Sequence, residues 1–233
     1  MTTPIARDTI VDALVDRLRD DVLSGRYPTG SYLPPERELA AAYGVTRTSL
    51  KHAFVRLSQA GLLETKHGVG TLVRDYERLG GPELLPMLLS TVGPEWTGEI
   101  FEVRREMGAL IAAAAAGKAT QRHRDGLRAL LDQLRTAPDA DSAQLTECEI
   151  HRLIAAATRN RVYRFLANSL LNAYLEIRQA FQPAFADPAA AAGRIAPLID
   201  ALCAGDPGRA HAAADTYLRQ TQDLMLPKAE VAP

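Results

Sequence analysis

Apolar residues recur every third or fourth position through most of the chain, and the interruptions divide it into elements. From Thr9 to about Ser24, Ile10, Leu14, Leu18 and Val22 stand four apart, flanked by Val11 and Val15 and separated by Asp and Arg, which predicts an amphipathic helix. "SGRYPTGSYLPP" stops it: Gly25 suits a left-handed helix end, and Pro28, Gly30, Pro34 and Pro35 mark a turn-rich connection. "ERELAAAY" resumes helix with Leu39, Ala40 and Tyr43 inward until Gly44. Thr46 is the predicted N-cap of the next helix, whose Leu50, Phe54 and Leu57 form an apolar face as far as Gly61. The period then shortens. "LLETK" and "GTLVR" read as two strands joined by "HGVG". Helix, short helix, glycine turn, helix and hairpin make a winged helix-turn-helix over residues 1–75.

"DYERLGGPE" predicts a linker over residues 76–84, and the rest, residues 85–233, reads as an all-α bundle. Its predicted helices run over Glu99–Lys118, Gln121–Arg135, Leu145–Thr158, Arg161–Phe181, Pro188–Ala204 and Pro207–Leu226, broken at "TAPDADSA", "QPAFADP" and "AGDPG". The fold class is therefore mainly α, with a winged helix-turn-helix ahead of a helical bundle.

Composition narrows this picture. With 47% hydrophobic and 24% charged residues the chain has enough apolar material for a core, and disorder is excluded. Two well-separated cysteines, Cys148 and Cys203, offer neither a disulfide framework nor a zinc cluster and fit a reducing cytoplasm. "ALIAAAAAG" is too short and too alanine-rich to span a bilayer, so no membrane association is expected. The net charge of -1 hides a local bias: Pro34 to Arg74 carries six Lys or Arg against three acidic residues.

That bias centres on "GVTRTSLKHAF". A helix entering a DNA major groove presents donors from its first turns while its other face stays buried, and this stretch has both properties. Arg47 and Lys51, one turn apart, share a face and can reach guanine or phosphate oxygens. Thr46, Thr48 and Ser49 are short enough to bind phosphates at the helix start. Lys66, His67, Gly68 and Gly70 form the wing tip, where glycine permits close backbone approach. Arg37 either reaches the duplex or pairs with Glu36 or Glu38.

"GSYLPPERELAAAYGVTRTSLKHAFVRLSQAGLLETKHGVGTLV" resembles the DNA-binding domain of the GntR family of bacterial transcriptional regulators, and "LPPEREL...GVTRTSL...HG" is most similar to its FadR branch. The resemblance implies DNA contacts by Arg37, Arg47, Lys51, His67 and Gly68, with Thr46, Thr48 and Ser49 on phosphates. Lys51 stands where the family usually has arginine and loses the planar fork that reads guanine bidentately. Many relatives hold a divalent metal between helices through an acidic residue and three histidines. Glu147 and His151 match the first pair, but Ile195 and Tyr217 stand at the other two positions, with His211 the nearest spare imidazole, so no metal or other cofactor is expected. The effector pocket is then expected among helices lined by alanine and leucine, suited to a fatty acid or acyl-CoA. Arg104, at a family position facing that cavity, is placed to hold a carboxylate or phosphate, with Tyr174 and Tyr217 as candidate hydroxyls.

The expected protein is a homodimeric, ligand-responsive regulator binding a double-stranded DNA operator in the cytoplasm. The alternative is a metal-dependent regulator sensing a small organic or sugar acid. An enzyme using Glu147 and His151 as an acid–base pair lacks a nucleophile motif, a phosphate loop and a ligand set. A ligand-free architectural DNA binder would not need six helices beyond its DNA-binding domain.

Overall fold

In the computed structural model, residues 8–81, 84–85 and 94–226 are described. They belong to two compact units, residues 1–92 and 93–233. Pro82 and Glu83 of the expected linker, and the first seven residues of the expected DNA-binding domain, lie outside the described residues.

The first unit is a winged helix-turn-helix. Helix α1 (Asp8–Leu23) turns Leu14, Val15, Leu18 and Val22 inward. Ile10, expected on the same face, is 59% exposed. Helices α2 (Glu36–Ala42) and α3 (Arg47–Gln59) pack through Leu39, Leu50, Phe54 and Leu57. Gly44 between them has φ +66°, a conformation that a side chain would strain. Thr46 caps α3 as expected: its hydroxyl oxygen accepts the Ser49 N–H at 3.1 Å. Strands β1 (Leu63–Lys66) and β2 (Gly70–Val73) pair antiparallel with Leu63 opposite Val73 and Lys66 opposite Gly70, and an isolated bridge joins Tyr32 to Leu72. Behind the wing, the buried Asp21 accepts hydrogen bonds from the Tyr43 hydroxyl at 2.5 Å and the Arg26 guanidinium at 3.0 Å, tying α1 to the end of α2. Burial, with that hydrogen bond, pushes the Tyr43 phenol well above its ordinary value. A short helix α4 (Tyr76–Leu79), capped by Asp75, occupies the start of the expected linker.

The second unit is helical throughout its described residues: α5 (Pro94–Ala116), α6 (Gln121–Arg135), α7 (Ala140–Ala157), α8 (Arg161–Ile177), a 3-10 segment (Arg178–Phe185), α9 (Pro188–Ala204) and α10 (Pro207–Met225). Helix α5 lies chiefly along α10, and α6 packs against α7 and α9. Small residues permit the first contact, since a Cβ on Gly108 would collide with Leu218. The core centres on Leu127, Leu134, Ile150, Phe185, Ile195 and Leu198. Helix α8 differs from its neighbours in burying only Ala173. Among the described residues no helix is long and apolar enough to cross a membrane.

Three boundaries depart from expectation. Helix α5 starts at Pro94, where proline fits the first turn. Helix α7 starts at Ala140 instead of Leu145, because Asp139 in the supposed loop "TAPDADSA" accepts the Ser142 N–H at 2.7 Å and caps a further turn. Helix α8 ends at Ile177, four residues before the expected Phe181, where the backbone tightens into the 3-10 segment containing Pro183.

The Ser142 backbone N–H, followed by its side chain, holds the Asp139 carboxyl below its ordinary value. A depressed folded-state pKa stabilises the helix above the unfolded-state value and ceases to do so as pH falls through the folded one. Protection of the Ser142 and Ala143 amides, after correction for intrinsic exchange, should therefore fall on acidification below the ordinary carboxylate range. Asp139→Asn, which keeps the cap without the charge, should remove that pH dependence; equal acid sensitivity in both proteins would refute the capping role.

Candidate nucleic-acid interface and effector cavity

In the first unit α3 has two unlike faces. Leu50, Ala53, Phe54 and Leu57 are buried, whereas Arg47, Thr48, Lys51 and His52 are exposed. The Arg47 and Lys51 side chains are 62% and 59% exposed, and both reach one carboxylate: Glu36 Oε2 lies 3.4 Å from Arg47 and 3.8 Å from Lys51. Glu36 therefore pairs with the α3 cations, while Arg37 is exposed with no ion pair among the described residues. This sharing was not legible in the sequence, because it joins residues eleven or more apart across the turn. Exposed pairs of this kind contribute little stability, typically about 0–1 kcal/mol, and yield readily to a stronger anion.

Thr46 and Ser49 are partly engaged with each other, their hydroxyl oxygens 2.9 Å apart. Thr48 projects into solvent. At the wing tip His67 and Gly68 are exposed, Gly68 with φ +75°, and Lys66 lies 3.2 Å from Glu64. A groove between α3 and the wing is lined by Lys51, Val55, Ser58, Thr65, His67 and Arg74. The structure thus brings Lys51 and His67 to one concave surface, with Arg47 exposed one turn before Lys51 on α3 and Arg37 exposed at the start of α2.

In the second unit a cavity of about 70 Å³ lies among α5, α7, α8, α9 and α10. Met107, Ile111, Ile154, Leu170, Leu171 and Leu218 supply most of its apolar wall. Its polar end is built on Glu147, whose side chain is only 3% exposed. Glu147 Oε1 accepts a short hydrogen bond from the Tyr217 hydroxyl and lies 3.3 Å from His151 Nε2 and 3.6 Å from an Arg104 guanidinium nitrogen. Arg104 and Tyr174 line the cavity. Tyr217 does not: it is buried with its hydroxyl on Glu147, and it is among the residues of a separate groove between α9 and α10.

Two further cavity features escaped the sequence reading. Gln144, one residue before the expected start of the helix at Leu145, is fully buried and donates to the Tyr174 hydroxyl at 2.6 Å and to the Arg178 carbonyl at 2.8 Å. Burial is the chief cause pushing the Tyr174 phenol well above its ordinary value. Cys148 lines the same cavity, and burial, reinforced by Glu147, pushes its thiol up to about 12, so it stays protonated and inert at neutral pH.

The cluster does not fit a metal held by several imidazoles. Glu147 and His151 share a face of α7, but Ile195 is fully buried in the apolar core and Tyr217 brings a phenol. His211 is exposed, and among the described residues no three His, Cys, Asp or Glu side chains are grouped to hold an ion.

Comparison with known proteins bears on both sites. Residues 10–73 match the family model described as bacterial regulatory proteins, gntR family, and residues 99–220 match the FCD domain. An uncharacterized HTH-type transcriptional regulator of Mycobacterium tuberculosis is 34% identical over 215 residues, 92% of this chain and 89% of that protein. The fatty acid metabolism regulator protein of Edwardsiella ictaluri is 30% identical over 177 residues, covering 74% of this chain and 71% of that protein. Among solved structures, Lar of Listeria monocytogenes superposes with TM-score 0.58 at 12% identity over 97% of this chain and 98% of that one. Escherichia coli McbR/YncC gives TM-score 0.51 at 17% identity with the same coverage. At these identities the structures bear on fold alone.

Glu147 supplies a direct test of the cavity's polar end. Tyr217→Phe removes the hydroxyl donor while keeping the ring, leaving a buried carboxylate short of a partner. It should lower unfolding free energy by about 1–3 kcal/mol, read from chemical denaturation. An unchanged midpoint would show that the phenol contributes nothing to holding the carboxylate.

Proposed function

Because the chain belongs to the GntR family of bacterial regulatory proteins, with an FCD domain following its helix-turn-helix, we propose how this transcriptional regulator reads DNA and what it senses. Two copies bind a roughly palindromic double-stranded operator in the cytoplasm, one winged unit to each half-site. Arg47 and Lys51 enter the major groove, with Arg37, Thr46, Thr48 and Ser49 on the backbone and His67 and Gly68 at the wing contact. The observation that carries this reading is the polarity of α3, with its cations in solvent and its apolar face buried. DNA phosphates then compete for the cations that Glu36 engages in the free protein.

The effector is a fatty acid or acyl-CoA housed in the helical unit. Support comes from the apolar lining of the cavity and from the named function of the fatty acid metabolism regulators at about 30% identity. Arg104, Tyr174 and Tyr217 stand at or beside its polar end. Ligand pockets are usually about 300–1,000 Å³, so a cavity of about 70 Å³ must widen to receive such a molecule. Helix α8, which contributes four cavity-lining residues and only one fully buried one, is the wall that yields. A metal-dependent organic-acid sensor is the weaker model, since Ile195 and Tyr217 supply no imidazole.

Gel-shift titration against an operator selected from a random duplex pool tests the DNA reading. Arg47→Ala should weaken specific binding by about 1–3 kcal/mol, and binding should fall steeply with salt. Normal operator affinity in this variant would contradict the assignment. Palmitoyl-CoA should raise the thermal midpoint and alter operator affinity; a response only to organic acids with a divalent metal would favour the other model.

A further inference from the structure

Arg104 has a neighbour that limits what it can do for an anionic ligand. Its guanidinium already faces Glu147 at 3.6 Å, so an incoming carboxylate or phosphate at that end of the cavity would also meet a buried negative charge. Other arginines of the unit are likewise engaged: Arg105 and Arg219 with Asp215, and Arg178 with Asp141.

Arg194 on α9 makes no such pair among the described residues: it is half-buried, and no carboxylate among them lies within ion-pair distance of it. One terminal nitrogen donates to the Ala184 carbonyl, at the end of the 3-10 segment, while its Nε is fully buried without a partner. Burial holds the guanidinium below its ordinary value; Glu147 and Asp187 oppose this through space, without contact. A cation desolvated without a counter-ion is costly, and capping one carbonyl uses only part of its donor set.

Arg194 lines the groove between α9 and α10, about 550 Å³ in volume, together with Gly193, Thr216, Tyr217 and Gln220. An added Cβ at Gly193 would meet nothing, so the groove is open there. Tyr217 stands between this groove and the inner cavity: it is among the residues of the groove, and its hydroxyl reaches Glu147, which lines the cavity.

We propose that the α9–α10 groove is a second compartment of the effector site, where Arg194 takes the phosphate or carboxylate of an amphiphile whose apolar end enters the cavity behind Tyr217. This rests on the reading of the effector as an acyl compound. It assigns the anion to an arginine that lines the groove and has no ion pair among the described residues, with Thr216 and Gln220 as further hydrogen-bonding groups at the groove.

The test is calorimetric titration of the full chain with sodium pyrophosphate, palmitate and palmitoyl-CoA at fixed ionic strength. At least one of the three should bind about tenfold more weakly to Arg194→Gln and recover in part with Arg194→Lys. Thr216→Glu, which places a negative charge at an exposed groove position, should weaken it similarly and decides the matter if Arg194→Gln fails to fold. Arg135→Gln, removing an equal charge from the exposed face of α6, should bind like the wild type. Pyrophosphate binding that depends on Arg194, without binding of either acyl compound, would uphold the anion site and remove the acyl reading. Palmitoyl-CoA binding equally to wild type, Arg194→Gln and Thr216→Glu would do the reverse. Failure of all three anions to bind the wild type would overturn the site.

Discussion

The helical unit is organised by one buried carboxylate. Glu147 sits on α7 with 3% of its side chain in solvent, where an ionised group without partners would be strongly unfavourable. Its partners come from three helices: Arg104 of α5, His151 of α7 itself, and Tyr217 of α10. Because these groups must converge on a single oxygen, the relative positions of α5, α7 and α10 are restricted far more than apolar packing alone would restrict them. The close passage of Gly108 against Leu218 belongs to the same arrangement, since it lets α5 and α10 approach along their lengths.

In the winged unit charge is handled at the surface, under other rules. The pairing of Glu36 with Arg47 and Lys51 is solvated and weak, so it leaves both cations available. What fixes α3 is its underside, Leu50, Phe54 and Leu57, together with the Thr46 cap. Rigidity comes from the core and reactivity toward a polyanion from the exposed turn. One unit thus buries its ion cluster and the other displays it.

The winged unit was readable almost residue by residue, because its signals are local. Gly44 turns the chain, Thr46 caps, and "HGVG" closes a hairpin. The helical unit was legible as a class and blurred at its edges. Asp139 looked like part of a loop because "TAPDADSA" has loop composition, yet its side chain begins a helix. At Ile177 the change to a 3-10 segment alters hydrogen-bond spacing without any clear break in hydropathy. Long-range pairings were the least visible. The two α3 cations meet Glu36 across a turn, which no period announces, and Tyr217 met Glu147 only through the family's ligand positions, which gave the neighbourhood but not the hydrogen bond between them.

The sparse burial of α8 carries an evolutionary corollary. A wall that supplies only Ala173 to the fully buried set can change its inward side chains without dismantling the α5–α10 framework or the carboxylate cluster. In the proposed acyl site, ligand chain length and shape are therefore free to diverge between descendants of this sequence through α8 alone, while their architecture stays the same.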